Sequence, residues 1–353
     1  MAIAVDAMGG DHAPEAIVTG AVRAATERRI PVILVGDEQR LSALLDEKRP
    51  VSSLVSVRHA SQAVGMGDSP SVAVRRFTDS SIRVAFDLVR RGEADAVVSA
   101  GNSGATMAVA MVTLRKLEGV DRPAIVTFHP TTKGSSLVLD AGGNVDCKPF
   151  HLVQFGIMGS VFARRVTKKE DPRVGILSNG SEESKGNELT REAHAIMKRC
   201  GLNYIGLVEG RDIYNGTADV VVCDGFVGNV GLKMCEGLAD VLQRMIQEEI
   251  RKSLRAKLGY LLIRNVFKEV AKRGDPSEYG GAPLVGVNGT CVICHGNSSP
   301  KAITNAIALA QDLTDSQFNS FLKDGLARHE ELLKMSQRQV RRFLGHLKEK
   351  IIR

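Results

Sequence analysis

Short apolar runs that end in Gly- and Asn-rich loops recur along the whole chain, and no other feature constrains the fold as much. Asp6-Ala7-Met8-Gly9-Gly10-Asp11-His12, Ser99-Ala100-Gly101-Asn102-Ser103-Gly104-Ala105, residues 178–186, Asp224-Gly225-Phe226-Val227-Gly228-Asn229 and His295-Gly296-Asn297-Ser298 each close such a run. Runs at 3–5, 32–35, 54–58, 96–99, 124–128, 137–139, 174–177, 204–208 and 220–223 read as strands. Amphipathic helical stretches separate most of them, including 13–29, 37–48, part of 71–91 and 105–117. Strands alternating with helices predict an α/β fold: a doubly wound, mainly parallel sheet in an α/β/α, Rossmann-like sandwich. The runs at 124 and 137 have no helix between them, which predicts a local antiparallel hairpin. In such sheets ligands bind outside the carboxyl ends of the strands, where these loops fall. Gly lets the backbone approach a ligand closely, and the first N–H groups of a following helix attract anions.

No internal repeat or low-complexity linker divides the chain. Residues 1–328 therefore read as a single α/β catalytic domain, with 329–353 as a basic helical tail. The segment 229–273 is helical nearly throughout and reads as a protruding arm, broken near Gly259. Leu254, Leu258, Leu261, Leu262 and Val266 recur in it at helical spacing between basic residues. That pattern fits an amphipathic helix lying on a membrane surface, or equally a dimerisation arm. From about residue 315 the chain is again helical.

The net charge of +7 is unevenly spread. Residues 251–273 carry +7 and residues 334–353 carry +6, leaving −6 for the remainder. Two basic segments on an acidic body suit an acidic protein partner or an anionic membrane surface. Trp is absent and aromatics are 4% of the chain, which speaks against base-stacking recognition of nucleic acid. The amino terminus has no signal-peptide pattern and no run is long enough to span a bilayer, so the expectation is a cytoplasmic protein with reduced thiols.

Neither a dinucleotide fingerprint at the start of the chain nor a Walker loop is present, which argues against NAD and ATP, and no G-x-S-x-G elbow anchors a hydrolase triad. Cys291-Val292-Ile293-Cys294-His295 fits the haem-attachment pattern, but that chemistry needs an exported protein. Both thiols read instead as buried strand residues, and no metal site has suitable ligand spacing. His295, opening its own loop, is either a site residue or a satisfied structural His. Gly101, Asn102, Ser103 and Gly104 precede a helix and read as an anion cradle; the alternative is a tight turn capped by Ser103. Lys185, beside Gly186 at a strand end, suits a phosphate or a developing oxyanion, unless it simply pairs with Glu182 or Glu183. Asn229 is either a donor to the same oxygen or a helix N-cap.

Taken in order, DAMGGD, SAGNSGA, LDAGGNVDCKPFHLVQFGIMG, EGRDI, DVVVCDGFVGNVGLK, EYGGAPLVGVNG and HGNSSPKAITNAI resemble the bacterial phosphate acyltransferases, the acyl-acyl-carrier-protein:phosphate transacylases, from residue 1 to about 312. The resemblance implies a fold related to phosphotransacetylases. It implies conversion of long-chain acyl-carrier-protein and inorganic phosphate to acyl phosphate and free carrier protein, with no cofactor or metal. It further implies a homodimer, peripheral membrane contact, and a glycerol-3-phosphate acyltransferase as acceptor of the product in phospholipid synthesis. Lys185 and Asn229 take the oxyanion role, Gly101 to Gly104 the phosphate, with His295 and Ser298 as further site residues. Arg251, Lys252, Leu254, Arg255, Lys257, Leu258, Leu261, Leu262 and Arg264 form the surface for carrier protein or membrane. Two other readings stand beside this one: a short-chain phosphotransacetylase using acyl-CoA, and a non-catalytic carrier-protein or membrane adaptor.

Overall fold

A computed structural model describes residues 2–47 and 53–329; the basic segment expected at 334–353 lies outside the described residues. The strands form one 11-stranded sheet. They are β1 (Ile3–Asp6), β2 (Val32–Gly36), β3 (Val55–His59), β4 (Ala96–Ser99), β5 (Ala124–Thr131), β6 (Gly134–Leu139), β7 (Val174–Leu177), β8 (Tyr204–Val208), β9 (Val220–Val222), β10 (Ala282–Val285) and β11 (Thr290–Ile293). Their spatial order is β3-β2-β1-β4-β11-β10-β5-β6-β9-β7-β8.

All nine sequence-predicted strands are present, and the hairpin expected at 124 and 137 is the antiparallel pair β5–β6. The unforeseen element is β10. It runs antiparallel both to β11 and to β5 and splices the sheet together. Because three antiparallel pairings separate β11 from β6, the parallel block β3-β2-β1-β4-β11 points opposite to the parallel block β6-β9-β7-β8.

Side chains alternate across the sheet with the period of two that a strand imposes. Ile3 and Val5, Val32 and Leu34, and Ala96 and Val98 face one layer; Ala4, Val35 and Val97 face the other. Strands buried on both faces read as nearly continuous apolar runs, which is why the sequence shows them as such. The first layer is covered by α1 (Glu15–Glu27), α6 (Pro149–Arg165), α7 (Glu188–Met197), α11 (Pro300–Asp315) and α12 (Phe318–Ala327). The second is covered in part by α4 (Ser81–Arg91) and α5 (Ser103–Thr113). The remaining described α-helices outside the arm are α2 (Glu38–Asp46), α3 (Pro70–Arg76) and α8 (Gly210–Asn215).

The arm is a hairpin of α9 (Gly225–Lys252) and α10 (Leu254–Gly274). The break expected at Gly259 falls instead at Ser253, whose backbone is extended and whose hydroxyl accepts from Ala256 N, capping α10. A hydroxyl that satisfies a free N–H starts a new helix, whereas a glycine inside a helix only weakens it. Leu254, Leu258, Leu261 and Leu262 stand out from the arm, with Leu262 87% exposed.

Candidate functional site

Two buried aspartates end strands in opposite blocks and shape the loops beyond them. Asp6, at the end of β1, accepts from Ser99 Oγ (2.7 Å), and Ser99 Oγ in turn accepts from Gly101 N (3.1 Å). Burial pushes the Asp6 carboxyl above the usual carboxylate range. Gly9 is required beside it, because a Cβ there would come within 2.5 Å of Asp6 Oδ2. Asp140 follows β6 and accepts from Ile125 N, Gly143 N, Asn144 N and Asn144 Nδ2 at 2.6–3.1 Å. Burial raises its carboxyl too, and these donors pull in the opposite direction. The 141–144 loop is thereby folded tightly around one carboxyl group. A Cβ at Gly142, whose φ is +126°, would sit 3.5 Å from the Asn229 side chain, and one at Gly143 would sit 3.2 Å from the Met107 sulfur of α5, so the loop lies beside both.

Asn229 is therefore not the cap of α9. Asp224 is: its carboxylate accepts from Val227 N, which leaves Asn229 in the second turn with its amide exposed beside Gly142. The cap of α5 is likewise Asn102 rather than Ser103. Asn102 Oδ1 accepts from Ala105 N, while its Nδ2 donates to Met66 O and Asp68 O. Both ends of that amide are thus bound by the protein itself. The cradle that remains is the exposed pair Ser103 and Gly104 with their first-turn N–H groups, resting on the buried Gly101. Such free N–H groups at the positive end of a helix favour an anion.

Lys185 sits in the 181–186 turn after β7, exposed, with its aliphatic stem over Gly180. Its ammonium pairs with neither neighbouring glutamate in a described contact: Glu182 meets it only through the backbone, Lys185 N–H donating to Glu182 O, and Glu183 is engaged by Lys198. No described hydrogen bond joins Lys185 to Asn229 or His295. A cleft of about 470 Å³ opens next to α9, lined by Val145, Asp146, Cys147, Asn187, Phe226 and Val227 among others. Phe226 and Val145 are 60% and 65% exposed at its mouth. Burial pushes the Cys147 thiol up to about 12, so it stays protonated near neutrality.

His295 follows β11 in the other block. Its loop is held down by Cys294 N to Ser99 O and by Asp11 N to Gly296 O, both 2.8 Å, so the loops after β1, β4 and β11 meet. Ser298 is buried in the same loop and donates its N–H to His295 O. Cys291 and Cys294 are buried thiols, as their strand setting suggests. Across the boundary between the two blocks, Lys233 of α9 reaches His295: Nζ and Nε2 are 3.1 Å apart. Sequence reasoning missed Lys233 and Asp140. A lysine among other charges on a helix looks like solvated surface, whereas Asp140 had a readable signal, an Asp-Ala-Gly-Gly-Asn loop directly after an apolar run.

Described contacts thus join the loops after β1, β4 and β11 to one another and, through His295 and Lys233, to α9, whose Asn229 lies beside the loop after β6. They bring together helix N-terminal donors, an exposed amide and basic side chains, whereas Lys185 lies in its own turn and the cleft beside α9 is lined by none of these groups. The family described as fatty acid synthesis protein matches residues 1–321. A phosphate acyltransferase from Geobacter sulfurreducens is 59% identical over 324 residues, 92% of this chain and 94% of that one. Another from Syntrophotalea carbinolica is 58% identical over 320 residues, 91% and 92% of the two chains. Among solved structures, a phosphotransacetylase from Streptococcus pyogenes superposes with TM-score 0.62 at 17% identity, covering 89% of this chain and 94% of that one. A 4-hydroxythreonine-4-phosphate dehydrogenase from Klebsiella pneumoniae reaches 0.53 at 16%, covering 89% and 99%. One fold that carries both an acyl transfer and a dehydrogenation fixes the architecture and leaves the chemistry to the loops.

Proposed function

The chain belongs to the phosphate acyltransferase family, and on that footing we propose that it moves a long-chain acyl group from an acyl-carrier-protein thioester to inorganic phosphate. A phosphate oxygen attacks the thioester carbonyl carbon. The carbonyl carbon becomes tetrahedral and its oxygen an oxyanion, the C–S bond breaks as the carbonyl re-forms, and the proton of hydrogen phosphate ends on the leaving thiolate, so acyl phosphate and the free carrier thiol are the products. Phosphate is already an anionic nucleophile, so the protein must position two reactants and stabilise the oxyanion rather than build a nucleophile. Asn229 and Lys185 are assigned to the oxyanion, and Ser103, Gly104 and the Gly101-Asn102 turn to phosphate. The observation that carries this reading is the Asp140-organised loop, which packs against both Asn229 and α5 and so couples the oxyanion donor to the anion-binding helix.

Residues 1–328 act as one catalytic unit in this proposal. The basic arm, with Arg251, Lys252, Arg255, Lys257 and Arg264, receives the acidic carrier protein. Its outward leucines make peripheral contact with the cytoplasmic face of the membrane, where a glycerol-3-phosphate acyltransferase consumes the product. The exposed apolar residues of α9 favour a homodimer. No helix among the described residues is long and apolar enough to cross a membrane. The short-chain alternative, which uses acyl-CoA, rests on a likeness at the level of fold alone.

The test is acyl-phosphate formation from palmitoyl-carrier-protein, with and without inorganic phosphate. Wild type should give phosphate-dependent product, and Lys185→Ala should lose about 10²–10³-fold in rate, the usual cost of an oxyanion donor. Carrier-protein binding by a wild type that yields no acyl phosphate would point to the adaptor reading instead.

A further inference from the structure

We propose that Lys233 and His295 together hold the nucleophilic inorganic phosphate, with Lys233 as a ligand contributed across the boundary between the two strand blocks. This deepens the reaction proposed above and rests on it: the pair adds two side-chain donors to the Ser103 and Gly104 N–H groups assigned to the same phosphate, the loops after β4 and β11 being bonded together through Cys294 N and Ser99 O.

The argument begins with hydrogen-bond accounting at one ring. Asn297 N donates toward His295 Nδ1 at 3.3 Å, and Lys233 Nζ stands 3.1 Å from Nε2. Lys presents only donors, as does a backbone N–H. An imidazole offers one lone-pair nitrogen when neutral and none when protonated, so it cannot accept at both positions. The backbone N–H is fixed by the loop, so the lone pair belongs at Nδ1 and Nε2 carries a proton. Nε2–H and the Lys233 ammonium, 3.1 Å apart and both exposed, are then adjacent donors with no acceptor between them. A tetrahedral phosphate bridging the two from the solvent side, one oxygen to each, satisfies both and has oxygens to spare. Glu236 Oε2, 2.7 Å from Lys233 Nζ, takes one of its three N–H groups and steadies the side chain, leaving others for the ligand.

Position supports the same ligand. Lys233 lies four residues after Asn229 on α9, so both side chains leave one face of the helix about one turn apart. The attacking oxygen must lie about 3–3.5 Å from the carbonyl carbon whose oxyanion Asn229 receives. A phosphate on Lys233 and His295 and a thioester on Asn229 are thus held side by side by a single rigid element. His295 comes from the opposite block, so the anion is gripped only when both blocks are in place.

Phosphate binding followed by ³¹P NMR titration of the intact protein, without acyl donor, separates this idea from the reaction itself. Lys233→Ala and His295→Ala should each weaken phosphate binding roughly tenfold to a hundredfold, as expected for loss of a hydrogen bond to a charged group. Lys233→Arg should restore most of it. In turnover assays KM for phosphate should rise while KM for acyl-carrier-protein stays within twofold. Unchanged phosphate affinity in both alanine variants would overturn the proposal, as would a selective rise in KM for the acyl donor. If either alanine variant fails to fold, Lys233→Gln and His295→Gln carry the same test, with the same two outcomes deciding it. A wild type that binds phosphate through this pair yet forms no acyl phosphate would sink the reaction and leave the site standing.

Discussion

His129 shows how one residue can couple the fold to pH. It lies on β5, buried, with its ring nitrogens at Thr127 Oγ1 (3.1 Å) and Tyr214 OH (3.2 Å), and Tyr214 OH donates to Cys235 Sγ of α9. Burial lowers its pKa to about 4. The unfolded chain takes up this proton near its ordinary value of about 6.5, while the folded chain resists until about 4. Between those values the unfolded state binds more protons, so the contribution is fully present above about pH 6.5 and is lost as pH falls through 4. It is worth on the order of 3 kcal/mol. Urea unfolding of His129→Gln should therefore lose stability less steeply than wild type between pH 6.5 and 4.5. Equal slopes for the two proteins would remove this residue from the account. At this scale Lys185, His295 and Ser298 were legible as polar residues in loops at strand ends, whereas Asn229, read as part of such a loop, lies in the second turn of α9. Asn102 was legible too, but its role as a cap with both amide ends occupied depends on Met66 and Asp68, more than thirty residues away.

The arm is the element whose sequence pattern and structure agree most directly. Its leucine stripe and basic residues were visible as periodicity, and the hairpin displays them with no buried residue anywhere on α10. An apolar stripe left in water across a whole helix marks a surface that a membrane or a protein covers. Leu258, 64% exposed, is a suitable probe. In sedimentation with anionic vesicles, Leu258→Glu should fall from the pellet while turnover of acyl-carrier-protein in solution is retained. Pelleting equal to wild type would exclude the membrane as the partner of this stripe. The position of the break was not legible, because Gly259 and Ser253 both carry helix-ending chemistry. The choice falls where Ser253 meets the free N–H of Ala256.

At the scale of the whole molecule, α9 exposes Met234, Leu238, Val241, Leu242, Met245 and Ile246, which a monomer would leave in water. The homodimer proposed above predicts a light-scattering mass twice the 38.0 kDa of one chain. Leu238→Asp together with Met245→Asp should halve it, and a wild type already of single-chain mass would refute the dimer. The sequence by itself determined nine of the strands, the β5–β6 hairpin, most of the helices, the Gly- and Asn-rich loops at strand ends, and membership of the family. Each of these is written in local periodicity or in ordered motifs. Only the tertiary structure decided that two parallel blocks run in opposite directions, that β10 joins them, and that Lys233 meets His295. Those facts depend on pairing between segments far apart in the chain, since β10, near residue 283, must find both its neighbour β11 and the distant β5. A strand's own residues specify which faces are buried, but not which strand lies beside it or in which direction it runs.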